Sequence, residues 1–286
     1  MIRTKKWMTA TLIGLVALAI PAAAQTQDGA KGEWELSVGA GVAGSPVYEG
    51  AREYYATPIP TVDVSWTRGS FSLSASILDG LGAMYVHEET GVIASASLNT
   101  GATRERDGYS LFVVPVDHSN STEKLLEGTP DATGVLAADA TLGYITPVGL
   151  VGATAGYRPT ELDYPRGAGT DDTLHGFVYQ TFYMIPLPVT EWLEVSAIAC
   201  LEMMDGRYAD AWYSVETDTA SLDEFAADAG LHRAQLVVDS TAMISERLGV
   251  SLLASGSVLL ADAGRSPYTE SEFQTSVVLT SFYRFR

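Results

Sequence analysis

The sequence predicts an all-β protein, a transmembrane antiparallel β-barrel of about 12 strands with short periplasmic turns and longer external loops. Three observations point there. Apolar and polar residues alternate with a period of two along many segments, which is the side-chain period of a strand. The connections between those segments alternate between short and long, as in outer-membrane barrels. The chain also ends on "SPYTESEFQTSVVLTSFYRFR", where Phe273, Val277, Leu279, Tyr283 and Phe285 share one face. An unpaired terminal strand of that kind invites aggregation, so another strand has to close over it.

From the N-terminus, Arg3, Lys5 and Lys6 precede an apolar run from Met8 to Ile20, followed by Pro21, Ala22, Ala23, Ala24 and Gln25. This is the pattern of a cleaved secretory signal peptide over residues 1–24. The run is shorter than the roughly 20 apolar residues that span a bilayer. Residues 25–286 then form one barrel domain. The leader carries three basic and no acidic residues, so its removal takes the net charge from -18 to -21. Such acidity excludes nucleic acid as a partner, because that binding depends on Lys and Arg neutralising phosphates. Charged residues make up 18%, below the roughly 25% of soluble domains. After the leader no apolar run reaches helical membrane-spanning length, so strands must carry any crossing.

The strands follow in order. Trp34, Leu36, Val38, Ala40 and Val42 alternate with Glu33, Glu35, Ser37, Gly39 and Gly41. Pro60, Val62, Val64 and Trp66 alternate with Thr61, Asp63, Ser65 and Thr67, and Phe71, Leu73, Ala75 and Ile77 alternate with serines. Leu136, Ala138, Ala140, Leu142 and Tyr144 continue the pattern, then Phe177 to Met184 more weakly, then Ala234, Leu236, Val238, Ser240 and Ala242. Short turns fall at 67–70, 88–91, 146–149, 186–191 and 245–249. Long polar stretches fall at 44–55, 104–134, 159–172, 204–230 and 261–272, with one tight exception at 79–82. A first strand rising from the periplasm puts every one of these short turns inside and every long stretch outside, and an even strand number returns the C-terminus to the periplasm. Trp34, Trp66, Trp192, Tyr144, Tyr157, Tyr283 and Phe285 sit near strand ends, where amphipathic rings favour the headgroups. The spacing of Leu222, Phe225 and Ala226 predicts a short helix in 219–230, ended by Gly230.

No catalytic, cofactor or metal site emerges. Cys200 alone builds no disulfide. Asp117, His118 and Ser121 are loop neighbours, whereas triad members converge from separated elements. Asp171, Asp172 and His175 read as a solvated acidic loop. His87, His118, His175 and His232 lie in different segments without ligand spacing. The inward-facing charges are more informative. Asp63, Asp139, Arg158, Glu194, Arg233 and Asp239, with Glu202, alternate with the apolar face and point to the lumen, either to fill it through ion pairs or to line a polar passage.

Two stretches carry a family likeness. "GAGVAGSPVYEGAREYYATPIPTVDVSW" holds Pro46, Tyr48, Glu49 and Gly50, then Pro58, Pro60 and Asp63. "ERLGVSLLASGSVLLADAGRSPYTESEFQTSVVLTSFYRF" holds Asp262, Ala263, Ser266 and Pro267. Both resemble the MipA/OmpV family of outer-membrane proteins (MipA standing for MltA-interacting protein). The resemblance implies a non-enzymatic barrel embedded in outer-membrane lipid and acting as a scaffold. In the family that scaffold joins a murein transglycosylase to a penicillin-binding protein, in peptidoglycan synthesis and turnover. A small pore for solutes and a surface adhesin are the alternatives. Tyr283 and Phe285 resemble the terminal aromatic signal read by the barrel-insertion machinery, although Arg286 follows where the family normally ends on Phe.

Overall fold

The computed structural model of the protein describes residues 32–104, 124–164, 172–190, 192–216 and 221–285. The proposed leader, and with it the boundary at residue 24, lies outside these residues. So does the Asp117, His118 and Ser121 cluster.

The alternating segments become strands. They are β1 (Glu33–Pro46), β2 (Tyr54–Arg68), β3 (Phe71–Ser76), β4 (Gly80–His87), β5 (Val92–Thr100), β6 (Thr103–Arg104), β7 (Asp131–Gly134), β8 (Leu136–Thr146) and β9 (Gly149–Asp163). After these come β10 (Asp172–Thr190), β11 (Leu193–Met204), β12 (Gly230–Met243), β13 (Leu248–Leu259) and β14 (Phe273–Phe285). All but the two short strands β6 and β7 form a closed antiparallel barrel of twelve. The last strand pairs with the first, Val38 opposite Tyr283 and Val42 opposite Leu279. That closure removes both edges, which is the answer the terminal strand required.

The strand period sorts side chains strictly. Outward go Trp34, Leu36, Val38 and Val42 on β1, and Val277, Leu279, Tyr283 and Phe285 on β14, all exposed. Exposure of large apolar residues along a whole barrel wall is what lipid contact requires. Trp34 packs 6.4 Å from Trp66 at the short-turn end, the end that the loop-length rule places in the periplasm. Tyr54, Phe177 and Phe273 mark the opposite end. Ten residues separate Phe273 from Tyr283 on β14. At 3.3 Å per residue and a tilt near 40° this is about 25 Å, the height of a lipid-facing band.

The long connections gather over the external mouth. The helix α1 (Gly206–Tyr213) is started by Asp205, whose side chain accepts from the Tyr208 backbone N–H at 2.8 Å. It buries Tyr208, Ala209, Ala211, Trp212 and Tyr213. The helix predicted in 219–230 does not form among the described residues. Val215 and Phe225 instead make a two-way backbone bridge of 2.8 and 2.9 Å. That holds Phe225 extended, and Leu222 packs into the cap. The apolar spacing there answers to cap packing and not to a helical face.

Candidate functional site

The two family-like stretches, more than 200 residues apart, meet at the external mouth. Tyr48 donates to the Tyr268 carbonyl at 3.1 Å and packs in a buried cluster with Ala51, Leu126, Val215, Leu222 and Tyr268. Gly50 adopts a φ of +98°, and a Cβ there would stand 3.0 Å from Thr269 Oγ1. Glycine is the residue for that conformation and that space. The Gly50 carbonyl accepts from Glu270 N at 2.9 Å, and Gln274 joins Gly50 N and Ala51 O. Ser266 donates to the Tyr213 carbonyl at 2.7 Å, tying this loop to α1. Arg104 places its guanidinium 3.7 Å above the Tyr268 ring and donates to the Trp212 carbonyl. The family-like motifs are therefore the joints of a cap.

Beneath the cap runs a latch of charges. Glu49 accepts from Arg233 Nη1 at 2.9 Å, and Arg233 Nη2 meets both oxygens of Glu202 at 2.8 and 2.6 Å. His232 lies between the same two carboxylates, 3.3 Å from each, with its Nε2 2.8 Å from the Tyr213 hydroxyl. Strict alternation would aim His232 at lipid. The register slips between Glu202 and Met203, so that Arg233 pairs with Glu202 while Leu231 pairs with Met203. This bulge turns His232 and Arg233 inward together, the re-aiming that bulges perform beside functional sites. Burial pushes the Glu49 carboxyl up, but the His232 and Arg233 charges outweigh it and hold the group at about 2. Burial pushes the Tyr213 phenol well above its ordinary value, helped by Glu49, so it remains a protonated donor.

The sequence-derived lumen charges divide into two groups. Asp139 and Arg158 form an ion pair of 2.6 Å, with Asn99 donating to Asp139 at 3.0 Å. Gln180 donates to Glu202 at 3.0 Å, and the belt continues to Arg233. This belt and the cap enclose a cavity of about 180 Å³. Asp63, Asp239 and Glu194 sit lower, outside the belt. Tyr283 and Phe285 lie on the outward face, their rings 4.8 Å apart edge to face. His175 stacks on Tyr157 at 5.9 Å, its Nδ1 2.5 Å from the tyrosine hydroxyl. Among the described residues no group of three or more His, Cys, Asp or Glu side chains is placed to hold a metal ion. Cys200 is buried in an apolar wall with Ile198, Met184 and Val237.

Inward-facing residues show a gradient. On β2, Thr57, Ile59 and Thr61 are buried at 1, 1 and 5% exposure, whereas Asp63, Ser65 and Thr67 below them are half-buried. On β12, Arg233, Gln235 and Val237 are buried, whereas Asp239 and Thr241 are half-buried. On β5, β9 and β10 the order reverses, with Ile93, Leu150 and Met184 near the short-turn ends buried in an apolar cluster with Ile198 and Val237. Among the described residues the periplasmic half is therefore half-exposed beside β2 and β12 and filled on the opposite side.

The sequence profile of the family described as MltA-interacting protein MipA matches residues 38–285. No curated protein matches the chain significantly. Solved structures that resemble the chain path include an anion-selective porin from Comamonas acidovorans, at 11% identity and a TM-score of 0.36 over 89% of this chain and 99% of that one. The translocator domain of the autotransporter NalP from Neisseria meningitidis follows at 11% and 0.38, over 91% and 90%. The Pseudomonas putida toluene transporter TodX stands at 11% and 0.37, over 91% and 89%. At these scores the likenesses carry no functional weight.

Proposed function

Because the chain belongs to the family of MltA-interacting protein MipA, we propose that it is a non-enzymatic outer-membrane scaffold that engages a murein-acting enzyme from the periplasmic side. The observation that carries this reading is the half-exposed polar interior on the periplasmic side of β2 and β12, beneath a packed external mouth. Solute transfer needs a passage at both ends, and the described external mouth is packed with Tyr48, Tyr208, Trp212 and Tyr213. Beside the apolar cluster of Ile93, Leu150 and Met184, the periplasmic half offers a polar interior bearing Asp63, Asp239 and Glu194. Short turns give a partner little to grip, so this polar interior and its rim supply the recognition surface. The family's name supplies MltA as the partner, and the family resemblance makes that partner a murein transglycosylase, with a penicillin-binding synthase as the second member of the assembly.

The test is two-sided. Crosslinked capture on the full chain in native envelopes should recover a murein transglycosylase. Planar-bilayer recordings should show no stepwise conductance. Regular conductance steps without enzyme capture would replace the scaffold with the permeation reading, which the polar cavity beneath the cap favours.

A further inference from the structure

The barrel wall is not equally tall all round. Asp63 on β2 pairs with Ser76, the last residue of β3, and β3 turns back through Ile77–Asp79 into β4. Among the described residues the segment Tyr54–Val62 therefore has β1 as its strand partner on one side and no strand on the other. At about 3.3 Å per residue and the usual tilt, that segment climbs roughly 20 Å along the barrel axis. The apolar band is about 25 Å tall, so the opening spans the whole outer-leaflet half and passes the midplane.

The residues bordering the opening fit an open edge. Ile77 N donates to the Val62 carbonyl at 3.2 Å, which puts the Val62 backbone groups on the β3 side. Alternate residues of an antiparallel strand direct their backbone groups to the same side. Pro58 and Pro60 therefore face the opening and lack the N–H that would stand there unmade. An unsatisfied donor in lipid costs several kcal/mol, and edge prolines also block an added strand. Asp79 is exposed at the hairpin tip, within the depth of the apolar band.

The opening leads to the cavity. Tyr55 of β2 and Asn99 and Thr100 of β5, the strands on its two sides, line that cavity together with His232 and Arg233. Arg233 is 9% exposed, yet its Nε meets no hydrogen-bond partner. That nitrogen calls for an acceptor. The cavity's 180 Å³ has room for a small polar head group.

We propose that the gap between β2 and β5 is a lateral portal, through which a single-chain amphiphile of the outer leaflet places a small hydrogen-bond-accepting head, carboxylate or hydroxyl, in the cavity. Its tail remains among the lipids beside Pro58, Pro60, Ile77 and Leu81. The prolines exclude a β-strand as the occupant. This site is independent of the scaffold reading, because the portal faces the bilayer and not the periplasm.

The experiment uses the full chain in phosphatidylethanolamine–phosphatidylglycerol vesicles with a fatty acid carrying a diazirine near its carboxyl end. On irradiation, label is expected on inward-facing residues around Tyr55 and Ser257, at least fivefold less in Thr100→Trp, which fills the portal from an exposed position. Competition by unlabelled fatty acid or by fatty alcohol tells carboxylate from hydroxyl. Label confined to outward-facing residues, or unchanged inward label in the Thr100→Trp protein, overturns the proposal. Enzyme capture does not bear on either outcome.

Discussion

Glu49, in the loop after the first strand, lies 2.9 Å from Arg233 on β12, 184 residues further along the chain. This contact joins the cap to the wall. Replacing Arg233 with Ala leaves Glu49 and Glu202 with His232 as their one remaining cationic neighbour among the described residues. Breaking a buried pair from one side costs about 3–5 kcal/mol. The urea midpoint should fall accordingly, and protease should cut the 205–229 connection in folded barrels. Glu49→Gln, which keeps the shape and loses the charge, should cost less.

The same contact sets an acid limit. The Glu49 carboxyl is held at about 2, below its ordinary 4.5. A carboxylate depressed in the folded state contributes stability that is complete above its unfolded value and is lost as pH falls through the folded one. Cap protection should therefore decline between about pH 4.5 and pH 2. Glu49→Gln should flatten that part of the profile. A decline of equal size in both proteins would remove Glu49 from the explanation. Proteolysis of the 205–229 connection across pH provides the measurement.

Ring closure should show in detergent gels. With every barrel strand paired on both sides over part of its length, the unboiled protein should migrate differently from the boiled one. Identical migration, with a helical circular dichroism spectrum, would contradict the fold.

Alternation was legible because lipid demands an apolar residue at every second position, and the strand number followed from the loop lengths. Asp139 and Arg158 could be placed inside from their strand positions, but their pairing needs the β8–β9 register. His232 was not legible. One extra residue in β12 reverses its side, and no composition signal marks a bulge. Glu49 stood within a recognisable motif whose physical reason appears only when its partner on β12 is seen. The spacing of Leu222 and Phe225 misled because loop residues that cover a mouth need apolar contacts without helical geometry, whereas Asp205 ahead of Gly206 was a usable helix-start signal.

The terminal rings separate stability from assembly. Tyr283 and Phe285 are 39 and 49% exposed, and Arg247 reaches the Tyr283 hydroxyl at 3.3 Å. Replacing both with Ala removes partial burial alone, about 1–3 kcal/mol by area. The urea midpoint of refolded barrels should move modestly, while outer-membrane abundance should fall severely, and deletion of Arg286 should change little. Normal abundance with a large midpoint loss would make the rings structural.

The 104–134 connection should be reachable from outside the cell. Its middle lies beyond the described residues, but Arg104 and Leu126 at its two ends are both buried in the external cap. A protease tag inserted near Ser121 should be cut in intact cells. Cutting that waits for outer-membrane permeabilisation would invert the orientation.

The pairing of β1 with β14 also imposes a clock. Strands that neighbour one another in sequence can pair while the chain is still arriving, but the seam between residues 36 and 285 is the most distant pairing in the molecule. Contacts of such sequence separation form slowly, because loop-closure entropy precedes any reward. The joints between the Tyr48–Gly50 loop and Ser266–Gln274 cross that seam, so they cannot mature until it is sewn. A protected cap is then a timestamp, marking molecules whose ring is complete and separating them from those still held open at the insertion machinery.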